Sequence, residues 1–167
     1  PDIVTTGKPM GNGIPVSGLL AKSDVLAAFS DDIPYFNTFG GNPVAMAAAQ
    51  AVLKVIKEEG LQEHSRVVGA QLLAELQKLM ERHESIGDVR GAGLFIGFEL
   101  VQDRHSKTPD KALALDLTEK LRDHRVLTSV AGPHGNVLKL RPPLAFQQAD
   151  IDWLVGALDQ SLTELGR

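Results

Sequence analysis

A chain of 167 residues, 43% of them apolar, is long enough to bury one ordinary globular core, and its interspersed charges sum to -4. That balance gives no basic footprint for nucleic acid or an anionic membrane, and neither partner is expected. The absence of cysteine excludes a disulfide framework and a thiolate metal site; with no membrane-length apolar run and no basic-then-apolar leader, a cytoplasmic protein is expected.

In chain order, Ile3 to Thr5 and Val16 to Ala21 read as short strands, β-branched or apolar and bounded by Gly and Pro. The chain opens only two residues before the first of them. A central, apolar strand needs neighbours on both sides, so the sequence reads as a fragment. Lys8 follows this strand and precedes a loop punctuated by Pro9, Gly11, Gly13 and Pro15. Two readings stay open there: a solvated loop lysine, the common case, or an amine fixed and desolvated enough to attack a carbonyl.

Ser23 and Asp24 are natural helix starters for a short helix from Ser23 to Phe29. The loop from Ser30 to Gly41 is rich in Asp, Pro, Asn and Gly. Its threonine hydroxyl and amides beside a helix start suit an anion; an N-cap and turn with no ligand is the alternative. Asn42 as N-cap and Pro43 at the first helical position start a helix to about Glu59. A second helix runs from Leu61 to about His83, with Leu72, Leu73, Leu76, Leu79 and Met80 as a core stripe.

The pattern then switches. Ile86 to Val89 and Leu94 to Leu100 predict a hairpin around Gly91 and Gly93. A polar loop from Gln102 to Pro109 leads to a helix over about Asp110 to His124, strands at Val126 to Val130 and Val137 to Leu140, and a closing amphipathic helix from Gln147 to Leu165. The order makes an α/β unit. His64, His83, His105, His124 and His134 show no metal-ligand spacing, so no metal site is expected. The first four lie in charged segments expected to be solvated, and His134 reads as a turn residue. Arg90 is either a charged rim residue or an anion contact.

Two segments carry a family resemblance. Pro1-Asp2-Ile3-Val4-Thr5, then Lys8 after two intervening residues and a glycine-rich run, resembles the cofactor-lysine segment of the class III, pyridoxal-phosphate-dependent aminotransferases. Phe36-Asn37-Thr38-Phe39-Gly40-Gly41-Asn42-Pro43 resembles the same family's phosphate loop. Gly7-Lys8-Pro9-Met10-Gly11-Asn12-Gly13, Gly132-Pro133-His134, Asn136-Val137-Leu138-Lys139 and Pro142-Pro143 are most similar to the ethanolamine-phosphate and phosphohydroxylysine phospho-lyases, long classed as alanine-glyoxylate aminotransferase-like. Ile14 departs from that branch, which usually carries histidine there.

The resemblance implies the C-terminal part of a fold type I, pyridoxal-phosphate-dependent transferase. Residues 1–60 would end the large cofactor-binding domain, and residues 61–167 would form the small α/β domain. Lys8 would be the catalytic, cofactor-linked lysine, and Thr38 would bind the cofactor phosphate of the neighbouring subunit in a homodimer with shared active sites. The substrate would be a small amine. Typical members carry an arginine three residues before the Pro-Pro pair to clamp a carboxylate; Lys139 stands there, and Arg141 directly precedes Pro142. A lysine is a point charge and does not replace a bidentate fork, so Lys139 and Arg141 are expected to meet a substrate whose main anion is a phosphate. Transamination remains the alternative reaction, and a non-catalytic C-terminal or dimerisation module is the alternative of another class.

Overall fold

The computed structural model describes residues 1–166, which form two compact units, Pro1–Leu61 and a second beginning at Gln62. In the first unit β1 (Ile3–Thr6) pairs antiparallel with β2 (Gly18–Ala21), in register from Ile3 opposite Ala21 to Thr6 opposite Gly18. All four residues of β1 are exposed, and β2 is its sole strand partner among the described residues, so the expected neighbours on both sides are not present. β2 starts at Gly18 rather than Val16 because β1 ends at Thr6 and the chain reverses at Lys8, where φ is 48°, leaving no strand opposite Val16.

A short 3-10 turn (Lys8–Gly11) fills the connection, where the sequence suggested a loop. Helix α1 (Ser23–Ser30) is preceded by Lys22 as N-cap, with no side-chain cap; Ser23 is already helical. Helix α2 (Pro43–Glu58) begins as the sequence predicts: the Asn42 side chain accepts the Ala45 N–H at 2.9 Å, and Pro43 occupies a position that needs no donor.

The second unit is a two-layer structure. Helix α3 (Leu61–Arg82) leads into β3 (Ile86–Ala92) and β4 (Phe95–Asp103), then β5 (Thr108–Pro109), α4 (Lys111–Asp123), β6 (Val130–Ala131), β7 (Val137–Leu140) and α5 (Gln148–Glu164). The sheet order is β3-β4-β7-β6, with β5 on the end of β4, and every pairing is antiparallel. Alternation along the strands decides which side is covered. Ile96, Phe98, Leu100, Leu138 and Leu140 point into the core, while Gly97, Glu99 and Lys139 lie on the opposite face.

Three helical stripes close that core: Val68, Leu72, Leu76 and Leu79 from α3, Leu113, Leu117 and Leu121 from α4, and Ile151, Leu154, Leu158 and Leu162 from α5. Their spacing of three and four residues puts each set on one helix face. Each fully buried leucine contributes about 1.5–3 kcal/mol through removal of its surface from water. Leu73, Met80 and Leu165, also expected in these stripes, are partly buried at the core's edge.

Three expectations need correction here. The polar stretch after Gln102 is not all loop: β4 continues to Asp103, whose carboxylate accepts the Ser106 N–H at 2.6 Å and folds the chain back so that Thr108 and Pro109 pair with β4. Val126 to Val130 is a strand only at its end. The Val126 N–H is taken by the Leu121 carbonyl at the end of α4, and Thr128 reaches β7 through its hydroxyl, bonded to the Lys139 carbonyl. The histidines expected to be solvated divide. His83 is 6% exposed, with Nε2 2.7 Å from Asp159 Oδ1, and half-buried His64 bonds the Phe146 carbonyl.

Candidate active site

The Lys8 segment is a sequence of tight backbone reversals. Gly7 is extended, Lys8 and Asn12 have φ of 48° and 47°, and Gly13 has φ of 104°. Hydrogen bonds from Met10 N to Gly7 O, Asn12 N to Pro9 O and Ile14 N to Gly11 O close the turns. Gly11 is buried, and a Cβ there would stand 2.7 Å from Val16 Cγ1, so the backbone passes where a side chain does not fit. A non-glycine residue at positive φ, directly before a proline, is an unfavourable backbone state of the order of 1–3 kcal/mol that the surrounding turn holds in place.

The Lys8 amine has no ion pair or hydrogen bond among the described residues. Lys8 lines a cavity of about 490 Å³ together with Pro15, Val16 and Ser17, the loop residues Asn37, Phe39 and Gly40 to Asn42, and Ala45 and Met46 of α2. The two motifs that the sequence placed 30 residues apart therefore border one cavity. Thr38 is exposed in the same loop, and its two neighbours line the cavity while Thr38 itself does not.

The loop differs from its expected form. Asn37 Oδ1 accepts the amides of Phe39 and Gly40 at 3.2 and 3.0 Å, so two N–H groups that suited an anion are engaged within the protein. Asn37 thus makes a turn of the kind the sequence left open as the alternative to an anion site, since an Asn ahead of glycines is a known turn former. The Gly41 amide has no partner among the described residues, at φ 70° and with open space where a Cβ would be. An unengaged amine, an unengaged amide and a backbone left bare by glycine fit an aldehyde cofactor that carries a phosphate.

Lys139 and Arg141 belong to the second unit and share a cavity of about 570 Å³ there. Lys139 stands opposite Gly97 on the open face of the sheet, and Arg141 follows the last residue of β7. The sequence reading missed two further members, Arg125 and Trp153. Arg90 lies outside this cavity. Its guanidinium is paired with Asp88 and Glu99, and the bonds to these two carboxylates raise its pKa further, which makes it a structural rim residue. Among the described residues no cluster of His, Asp and Glu has the makings of a metal site.

The aminotransferase class-III family profile matches residues 1–162. This chain belongs to the class III aminotransferase family. As a member it is 49% identical, over its whole length, to ethanolamine-phosphate phospho-lyase homolog 1 of Caenorhabditis elegans, of which it covers 36%. It superposes with a TM-score of 0.92 on a phospholyase from Arthrobacter in complex with phosphoethanolamine, at 41% identity, covering 98% of this chain and 39% of that one. A PLP-bound amine transaminase from an uncultivated Pseudomonas species matches with a TM-score of 0.86 at 34% identity, over 98% of this chain and 38% of that one. This class III chain thus spans little more than a third of the length of the relatives it matches.

Proposed function

We propose that this chain is the C-terminal part of a pyridoxal-phosphate enzyme that eliminates phosphate from a small phosphorylated amine. The carrying observation is the Lys8 amine, held in a strained turn on the wall of a cavity and engaged by no other group among the described residues. On this reading residues 1–60 complete the cofactor-binding domain and residues 61–167 are the small domain. Thr38 donates its hydroxyl to the cofactor phosphate across a two-fold interface, which accounts for a threonine exposed beside the cavity rather than in it.

Bound pyridoxal phosphate supplies an electron sink for the bond-breaking at the amine-bearing carbon. Lys8 would hold the cofactor through Nζ and, once free of it, would serve as the base that takes the proton from the amine-bearing carbon. Lys139 and Arg141 orient the substrate through its anionic group. A lysine where a bidentate fork would grip a carboxylate favours a phosphate as that group. The likeness to the C. elegans phospho-lyase homologue and to the phosphoethanolamine-bound phospholyase supports the same choice.

The likeness to the amine transaminase supports the second reading, transfer of the amino group to a keto acid. The two reactions share their steps up to proton removal, and the fold does not choose between them. Incubating the full-length holoprotein with phosphoethanolamine separates them. Release of inorganic phosphate and aldehyde is expected; no phosphate, with brisk amine transfer to pyruvate, glyoxylate or 2-oxoglutarate, overturns the lyase. The site of action is proposed to be cytoplasmic, and no described helix is long and apolar enough to cross a membrane.

A further inference from the structure

Five arginines of the described chain are ion-paired: Arg66 with Glu63, Arg82 with Asp159, Arg90 with Asp88 and Glu99, Arg104 with Glu84, and Arg122 with Glu119. The two without a carboxylate partner, Arg125 and Arg141, line the same cavity. We propose that Arg125 and Arg141, with Lys139, form a seat for a phosphoryl dianion in which Arg125 is a binding residue in its own right. The proposal rests on the reading of Lys139 and Arg141 as contacts to a substrate anion, and it adds the residue that makes their cavity select a double charge.

The backbone at Arg125 argues for its side chain. Helix α4 ends with the Arg125 N–H bonded to the Arg122 carbonyl at 2.9 Å and the Val126 N–H to the Leu121 carbonyl at 2.8 Å, a termination that places Arg125 in the left-handed region at φ 62°. Glycine is the ordinary occupant of that position because it alone has no Cβ penalty. An arginine there carries a backbone cost that glycine would not, and its side chain, without a carboxylate partner among the described residues, belongs to a residue lining the cavity.

The other polar groups of the cavity wall are mostly engaged. The Trp153 indole N–H is donated to the His124 carbonyl at 3.1 Å, the Thr128 hydroxyl to the Lys139 carbonyl, and the Asp150 carboxylate accepts the Gln147 N–H at 2.9 Å. Three cations against that one carboxylate leave the lining with an excess of two positive charges. A phosphoryl group carries about -1.5 to -2 at neutral pH and accepts bidentate arginine bonds, so it matches in charge and in geometry. A single carboxylate leaves part of the charge unanswered.

The test uses the full-length holoprotein, whose bound cofactor already occupies the cofactor-phosphate seat, titrated calorimetrically with inorganic phosphate. Arg125→Gly removes the guanidinium while relieving the backbone. It should weaken phosphate binding roughly tenfold or more, the loss of a charge-assisted bond, with a melting temperature no lower than wild type. Arg141→Gln should weaken binding similarly, and Arg122→Gln, outside the cavity, should leave it unchanged. A parallel rise in KM for phosphoethanolamine, with kcat less affected, assigns the seat to the substrate's phosphoryl group; weakening confined to free phosphate assigns it to the released ion.

No saturable phosphate binding in wild type, wild-type affinity in Arg125→Gly, or a loss of affinity accompanied by a lowered melting temperature overturns the inference. Those results are separable from the fate of the lyase reading. A holoprotein that binds phosphate through Arg125 yet releases none from phosphoethanolamine keeps the seat and loses the lyase. One that releases phosphate while Arg125→Gly binds it normally does the reverse.

Discussion

Gly69 on helix α3 lies against Gly93 in the β3–β4 turn so closely that a Cβ on Gly69 would stand 2.6 Å from the Gly93 Cα and overlap its carbonyl group. The Ser65 hydroxyl, one turn earlier on the same helix, accepts the Leu94 N–H at 3.1 Å and holds the turn at that distance. The helix and the hairpin are locked backbone to backbone.

Gly69→Ala therefore sets two effects against each other. Alanine improves helix propensity by about 1 kcal/mol, but the methyl group must displace backbone, and overpacking of that kind costs about 1–3 kcal/mol or more. The second should win, because Gly93 is itself at φ 55° and has no side chain to rotate away. Chemical denaturation should show net destabilisation; a stabilised variant would mean that the turn yields freely.

Lys8→Ala in the full-length protein should abolish the cofactor absorbance that borohydride reduction fixes to the chain, with the fold retained because Lys8 is exposed and makes no bond that the turn needs. Peptide mapping of the reduced wild type should find the pyridoxyl group on Lys8. Recovery of that label on another lysine would refute the assignment.

Thr38→Ala should weaken cofactor retention by about 1–3 kcal/mol, the usual worth of a hydrogen bond to a charged group. Equilibrium dialysis of the cofactor against the variant measures it directly. Wild-type retention would remove Thr38 from the site, and a monomeric holoprotein would remove the cross-subunit geometry.

Asp159 joins the end of α3 to α5 by accepting from His83 Nε2 and from Arg82, both at 2.7 Å. The His83 hydrogen bond, followed by the hydrogen bond and positive charge of Arg82, holds the Asp159 carboxyl below its usual pKa despite partial desolvation. A carboxylate depressed in the folded state stabilises it fully above the unfolded value of about 3.9, and that contribution disappears as pH falls through the lower folded value. Asp159→Asn should cost about 1–3 kcal/mol at neutral pH and should flatten the acid limb of the stability profile below about pH 4. An unchanged acid limb would show that other carboxylates govern it.

Several elements were legible because their causes are local. Asn42-Pro43 announces the start of α2 through a cap and a missing donor, the leucine spacing of α3, α4 and α5 marks their buried faces, and the alternation in β4 marks which residues face the core. The Lys8 and Thr38 segments were conspicuous as motifs, and the family they indicate is the family to which the chain belongs.

Tertiary structure alone decided the rest, since each case depends on a partner distant in sequence or on backbone angles that composition does not specify. His83 is buried because Asp159, 76 positions later, answers its ring nitrogen. Asn37 engages amides that its own loop seemed to offer to an anion, a matter of turn geometry. Arg125 and Arg141 look alike in sequence to the paired arginines; they differ because the end of α4 and the end of β7 bring them to one cavity while no carboxylate among the described residues pairs with either. Side-chain chemistry is written in the sequence, but which charges remain unpaired is a property of the packed chain.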